Sequence, residues 1–336
     1  VPFNETGWRY IVDKHGGYLQ IEIQAIPEGT VLPTKNVMVQ VMNTDPAFPW
    51  LTSYIETALL RARWYPTTVA TVSRECRDII EHYLAQTADS SEGLEFKLHD
   101  FGARGATSEE AAAIGGAAHL VNFMGTDNIS GVLATRRYYG AEMAGFSIPA
   151  AEHSTITCWG KEREAEAYEN MVEQFSGAEK TVAVVSDSYD LWHAVDNIWG
   201  GELKERVENN GGTIVIRPDS GDPISIVVGT IDRWLKKFGF TTNEKGYRVL
   251  PPYIRVIQGD GISAKTINAI LEAMKLNQQS AENISFGMGG ELLQKVNRDT
   301  LRFAMKASAA KIEGTWIDVY KDPITDQGKK SKKGRL

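Results

Sequence analysis

Arg217 and Asp219 flank a proline in I-R-P-D-S-G (216–221), so two opposite charges project from a fixed backbone where a strand-like run ends. Arginine offers a planar fork of donors to a carbonyl or phosphate, and aspartate accepts two hydrogen bonds from a sugar diol. A structural Arg–Asp pair is the other reading of the same residues. Four further clusters of Asp, Arg and Gly punctuate the chain: H-D-F-G-A-R-G at 99–105, V-S-D-S-Y-D at 185–190, I-Q-G-D-G at 257–261 and F-G-M-G-G at 286–290. In the first, Phe101 offers an aromatic face to a flat ring and Arg104 a fork for phosphate or an amide carbonyl. Asp187 falls at a strand end, whereas Asp190 reads as a complement to the dipole of the next helix.

Asp260, between Gly259 and Gly261, suits either ribose hydroxyls or the cap of the following helix. Gly289 and Gly290 allow close backbone approach to an anion, and a purely steric strand-to-helix turn looks the same. His153 in A-A-E-H-S-T is the only one of six histidines directly after a strand-like run, beside a hydroxyl-rich turn. Asp127 in N-F-M-G-T-D accepts hydrogen bonds if it faces the same mouth. Arg298, Arg302 and Lys306 follow the glycine turn, and a basic run fills 329–335. That run reads as a solvated end, or as a charge neutraliser if it lies near phosphate.

These residues need a frame that gathers distant loops. Runs such as TVAVV, TIVI, YIRVI and NISF are too short for helices and too apolar for exposed strands, so they read as strands buried on both faces of a parallel sheet. Strand-like runs recur near 95–100, 119–123, 147–151, 182–186, 213–217, 253–258, 283–287 and 303–309, with helical stretches at 126–139, 160–175, 189–209, 222–238 and 264–276. The alternation predicts an α/β fold: an irregular (β/α) barrel with a second, smaller mixed α/β domain. An open doubly wound sheet is the competitor, but no G-x-G-x-x-G follows a strand. In a barrel, loops at the C-terminal strand ends converge on one mouth, where chemistry is done.

Residues 18–42 alternate in the antiparallel manner, and 50–88 are helical with an interruption expected at Pro66. From Trp316 the tail alternates again and is expected to pair back onto the N-terminal sheet. The expected domains are therefore 1–94, with 311–336 as its completion, and a catalytic barrel at 95–310.

With 42% hydrophobic and 24% charged residues among 336, and a net charge of −7, the chain reads as a globular protein without a nucleic-acid-binding surface. Cys76 and Cys158 are too few for a disulfide framework, which points to a reducing compartment. No apolar run approaches the roughly 18 residues of a membrane helix, so no membrane partner and a cytoplasmic location are expected. The start on Val1 without Met reads as a processed or incomplete version of a longer protein.

Taken together and in order, H-D-F-G-x-R-G, N-F-x-G-T-D, P-A-A-E-H-S-T-I, V-V-S-D-S-Y-D, I-R-P-D-S-G, V-I-Q-G-D-G and L-L-Q-K-x-x-R-D resemble the nicotinate/nicotinamide phosphoribosyltransferase family, on its nicotinamide side. The resemblance implies a homodimer with its active site at the subunit interface. It also implies a glycosyltransferase of NAD salvage that joins nicotinamide to phosphoribosyl pyrophosphate with Mg²⁺, giving nicotinamide mononucleotide and pyrophosphate. By the same resemblance the nicotinamide ring stacks on Phe101, Arg217 holds its amide oxygen and Asp127 accepts from its amide nitrogen. Asp219, Gly259 and Asp260 take the ribose hydroxyls, Gly289 and Gly290 the 5′-phosphate with Arg104 nearby, and Arg298 and Lys306 the pyrophosphate. His153 matches a histidine phosphorylated by ATP, which couples ATP hydrolysis to synthesis, with Asp187 and Asp219 as its neighbours and as the carboxylates nearest Mg²⁺. Ala103, Ala183 and Glu291 depart from the family pattern, where Tyr, Ser and Gly are expected.

A carboxylate at Asp127 attracts an amide N–H₂ and repels the carboxylate of nicotinic acid, which favours nicotinamide. The nearest rival is therefore nicotinate phosphoribosyl transfer on a similar barrel. A Schiff-base lyase would rely on Lys306, and a non-catalytic or signalling protein on the same fold would be expected to lose the charged rim.

Overall fold

Alternating I-E-I-Q-A and V-Q-V-M-N form strands β1 (Ile21–Ala25) and β2 (Val39–Asn43), paired antiparallel from Ile21↔Asn43 to Ala25↔Val39. The computed structural model describes residues 3–336. It divides into a smaller unit, Val1–Trp64 with Arg298–Leu336, and a larger one, Tyr65–Asn297. In the smaller unit Ile11, Phe48 and Leu51 are buried, and Trp8 meets Trp50 and Tyr54 edge-on at centroid distances of 5.1 and 4.8 Å. The break expected at Pro66 falls earlier, at Ile55, between helices Leu51–Tyr54 and Glu56–Thr87. The unit boundary lies within the second of these helices, one residue before Pro66.

In the larger unit the buried runs become β3 (Leu98–Asp100), β4 (Gly125–Thr126), β5 (Thr181–Val185) and β6 (Thr213–Arg217). A short antiparallel pair, β7 (Thr241–Thr242) and β8 (Arg248–Val249), precedes β9 (Ile254–Gln258) and β10 (Ile284–Met288). Six strands form one parallel sheet in the order β4-β3-β10-β9-β6-β5. Residues 146–150 join its two edges, through parallel bridges Gly125↔Phe146 and Ala150↔Ala183 and hydrogen bonds from Thr126 N–H to Phe146 O (2.9 Å) and Ala183 N–H to Pro149 O (2.9 Å). The ring therefore closes, and around it the staves follow chain order. This is an irregular barrel of six strands and one bridging segment rather than the expected eight alternations.

Two of the expected strands lie elsewhere. At 119–123 the small residues of A-A-A-I-G-G-A-A-H continue a helix, Glu109–His119, and the strand is displaced to Gly125. Near 303–309 there is no barrel strand. Instead β11 (Ala309–Ile312) and β12 (Thr315–Asp318) pair antiparallel in the smaller unit. Glu313 (φ 48°) and Gly314 (φ 81°) make the two-residue turn that such a hairpin requires. The tail strand thus pairs with β11 and not with the N-terminal sheet, because a local turn costs less closure entropy than a distant partner.

Side chains of the strands divide by the two-residue period. Ile214 and Ile216 join the main core that packs against the helices, while Val215 forms a separate small cluster with Ala183 and Ile257, against which Phe101 and Ile148 pack. That cluster is the barrel interior. Arg217, two residues beyond Val215, continues on the same inner face at the C-terminal rim.

His119 shows how the barrel wall tolerates a polar group. Fully buried, its Nδ1 lies 3.0 Å from the Ser73 hydroxyl and its Nε2 3.1 Å from Gly125 O. Burial pushes its pKa down from 6.5 to about 4. A lowered folded-state pKa stabilises the fold above pH 6.5, and that contribution disappears as the pH falls towards 4. Urea unfolding is expected to weaken across this window by up to on the order of 3 kcal/mol, and His119→Gln should flatten the dependence. An unchanged slope in the variant would assign the acid loss to other groups.

Candidate active site

Each strand of the barrel delivers one cluster to the C-terminal rim. Pro218 fixes the turn after β6 and leaves Arg217 and Asp219 adjacent, with Arg217 Nη2 3.4 Å from Asp219 Oδ2. The separation is long for an ion pair, and the buried Nε of Arg217 has no partner among the described residues, so the guanidinium keeps donors for a ligand. The structural pair is present, but it does not use up the arginine. His153 begins the short helix His153–Thr157, whose start is closed by a capping box between Glu152 and Thr155. Its Nε2 lies 3.0 Å from Asp187 Oδ1 and its Nδ1 4.0 Å from Asp219 Oδ2. Asp187 is nearly buried at 4% side-chain exposure, while the imidazole retains 43%. One histidine therefore spans two carboxylates from different strand ends.

Burial is the main cause that pushes Asp219 above the ordinary carboxylate value. Arg217 and His153 pull it back down, and Asp187 and Asp260 push it further up. The three aspartates accordingly share one electrostatic neighbourhood. Asp260 is exposed, and the next helix, Ala264–Leu276, is capped by Ser263, so the capping role weighed for Asp260 is filled by another residue. Asp190 accepts from the N–H groups of Trp192 and His193 at 3.0 Å each and caps its helix.

Phe101 follows β3, with its N–H bonded to Met288 O at 3.0 Å. A Cβ on Gly287 would stand 2.0 Å from Cε2 of the Phe101 ring, and one on Gly259 would stand 3.3 Å from the same ring and 3.4 Å from Asp219 Oδ1. The missing side chain at Gly287 is therefore what seats the ring, and Gly259 keeps a gap open between ring and carboxylate. Gly287 lies within F-G-M-G-G, and residue type alone gives it no role. Only the paths of two neighbouring strands, β3 and β10, show that it faces Phe101.

Asp127 is exposed after β4 and accepts a short hydrogen bond from the Ser147 hydroxyl, a partner that the strand-like reading of 147–151 concealed. Arg104 is exposed on the turn Ala103–Gly105, and a Cβ on Gly105 would stand 4.0 Å from Gly290 Cα. The helix after Gly289 is only four residues long, Gly290–Leu293, so any anion binding there rests on the glycine turn and Arg104 rather than on a helix dipole. Arg298 and Lys306 belong to the smaller unit. Within it Arg298 donates to Phe303 O at 2.7 Å and pairs with Asp299, and Lys306 donates to Met305 O at 3.0 Å.

Among the described residues no group of three or more His, Cys, Asp or Glu stands close enough to hold a metal ion by itself. Asp187 and Asp219, both beside His153, would offer carboxylate oxygens to a hard cation that brings most of its ligands as water and phosphate oxygen. No helix is long and apolar enough to cross a membrane among the described residues.

Residues 96–336 match the model of the nicotinate phosphoribosyltransferase (NAPRTase) family. A nicotinamide phosphoribosyltransferase of Xanthomonas campestris is 56% identical over 336 residues, which is all of this chain and 71% of the relative. The chain belongs to the nicotinate phosphoribosyltransferase family. A nicotinamide phosphoribosyltransferase of Mycoplasma pneumoniae is 36% identical over 343 residues, 97% of this chain and 73% of that one. The crystal structure of nicotinate-nucleotide pyrophosphorylase from Pyrococcus furiosus matches with a TM-score of 0.53 at 18% identity, over 82% of this chain and 58% of that one. That likeness shows a shared fold.

Proposed function

We propose that this chain transfers the phosphoribosyl group of phosphoribosyl pyrophosphate to nicotinamide, giving nicotinamide mononucleotide and pyrophosphate in NAD salvage. The observation that carries the reading is the glycine-seated ring of Phe101 beside Asp219, with Arg217 on the same rim. A flat aromatic base fits against the ring, and Arg217 and Asp127 offer a donor and an acceptor that match the two ends of an amide. Relatives at 56% and 36% identity named for this activity support the same reading.

The reaction asks little covalent chemistry of the protein. As the C–O bond to pyrophosphate breaks, positive charge develops on the ribose, and the ring nitrogen of nicotinamide forms the new C–N bond. Asp219 and Asp260 hold the ribose hydroxyls and face the developing cation, which is where fixed negative charge lowers the barrier most. Gly289, Gly290 and Arg104 take the 5′-phosphate, and the resemblance alone carries Arg298 and Lys306 to the pyrophosphate. Asp187 and Asp219 would help to hold Mg²⁺, which would neutralise pyrophosphate charge. His153, held between Asp187 and Asp219, is the proposed acceptor of a phosphoryl group from ATP. The enzyme is proposed to act as a cytoplasmic homodimer with the active site at the subunit interface.

An assay for mononucleotide formation from nicotinamide, with and without ATP, tests the reading. Turnover with nicotinamide and stimulation by ATP are expected. A preference for nicotinate overturns the base assignment, and absence of stimulation removes His153 from its coupling role. For selectivity, Asp127→Ala is expected to raise KM for nicotinamide about tenfold or more, as loss of a hydrogen bond to a buried ligand amide would, while nicotinate is unaffected or improved. Equal losses with both bases would contradict the charge argument.

A further inference from the structure

Two loops bear on the base in the proposed reaction: the one that carries Phe101 and the one that carries Asp127. Each has a buried polar residue as its neighbour in sequence, Asp100 before Phe101 and Asn128 after Asp127. Asp100 is 0% exposed and Asn128 1%. Asp100 Oδ2 accepts from Asn128 Nδ2 at 2.9 Å, and Asp100 Oδ1 accepts from Gly102 N–H at 2.7 Å. The main chain repeats the link, with Asp127 N–H donating to Asp100 O at 3.0 Å. Asn128 is fixed in turn by Nδ2 to Ala112 O at 2.8 Å and by Gly131 N–H to its Oδ1 at 3.1 Å. Room for it comes from Gly116, where a Cβ would stand 2.4 Å from Asn128 Nδ2.

A carboxyl this deeply buried is costly unless its partners are fixed, so Asp100 points to a purpose that an apolar residue would not serve. We infer that the Asp100–Asn128 pair is a positioning device that sets the distance between the aromatic platform at Phe101 and the selecting carboxylate at Asp127, and thereby the choice of base. The inference rests on the proposed function. Neither residue touches the base, and both act through their neighbours. The bond crosses from the end of β3 to the start of helix Ile129–Tyr139, so a shift in either loop is passed to the other.

The test compares kcat/KM for nicotinamide and for nicotinate in the wild type, Asp100→Asn, Asn128→Ala and the exchange Asp100→Asn with Asn128→Asp. Asn at 100 is isosteric but sets amide against amide across the pair, so the bond to Asn128 is lost while Gly102 keeps its acceptor. The exchange restores one donor and one acceptor across the pair with polarity reversed, but leaves Ala112 O facing a carboxylate oxygen in place of its donor. Both simpler variants are expected to lower the nicotinamide-to-nicotinate ratio about tenfold, of the order expected when catalytic geometry shifts by a fraction of an ångström. The exchange is expected to recover part of the ratio. A merely structural pair would lower the melting temperature and both activities in proportion, leaving the ratio unmoved, and that result overturns the inference. So does failure of all three variants to fold, which would make the pair a folding element. Wild-type enzyme that turns over neither base would instead overturn the proposed function, so the two failures are distinguishable.

Discussion

Asp219→Ala is expected to lower turnover about a thousandfold with either base, because in the proposed reaction its carboxylate faces the ribose as positive charge develops there, and single preorganised groups of this kind contribute on the order of 10²–10³. The surroundings make the result separable from unfolding. Burial is the first cause that raises the pKa of Asp219, and Asp187 and Asp260 add to it. For a carboxyl whose folded pKa is raised, stability is greatest below the unfolded value of 3.8 and is lost as the pH rises through the folded value. This carboxyl therefore costs the fold stability once it ionises, so Asp219→Ala or Asp219→Asn should melt no lower than the wild type, and Asp219→Asn higher. Loss of turnover with an equal or raised melting temperature is the signature of a residue kept for chemistry at the expense of stability. A variant that is fully active, or one that is inactive only because it melts early, would remove Asp219 from the reaction.

Gly287→Ala is expected to raise KM for the base by about a hundredfold, the scale on which small displacements at reacting centres are felt. The added Cβ would lie 2.0 and 2.2 Å from two atoms of the Phe101 ring, so the ring must leave its seat. Gly287 does not have a left-handed backbone, so alanine adds no strain of its own and the collision alone is tested. Binding of phosphoribosyl pyrophosphate with Mg²⁺, read as a rise in melting temperature, should persist, because the ring seat serves the base rather than the phosphates. An unchanged KM would mean that the base does not use Phe101 as its platform. Phe101→Ala provides the complementary measurement and should weaken the base to a similar degree.

Much of this was readable before any coordinates. Short β-branched runs ending on Asp, Arg and Gly can be satisfied by few arrangements other than a buried parallel sheet with its polar loops on one rim, and β5, β6, β9 and β10 stand where those runs end. Local chemistry also marked Arg217, Asp219, Asp187 and His153 as candidates, although a structural Arg–Asp pair could be read from the first two of them as well. Stave count was less legible. A strand of two residues such as β4, and a bridging segment such as 146–150, carry almost no pattern of their own, because their pairing partners and not their composition hold them extended. The hairpin Ala309–Asp318 was misplaced for a related reason: alternation tells that a strand exists but not which sheet it joins.

What the sequence determined by itself is therefore the set of chemical groups and the class of frame, since both follow from residue type and from periods of two and 3.6 along the chain. Tertiary structure alone decided the relations between them: that Gly287 seats Phe101, that His153 stands between Asp187 and Asp219, and that Asp100 binds Asn128. Each joins residues 28 or more positions apart, and such distances are set by barrel closure, which no local preference encodes.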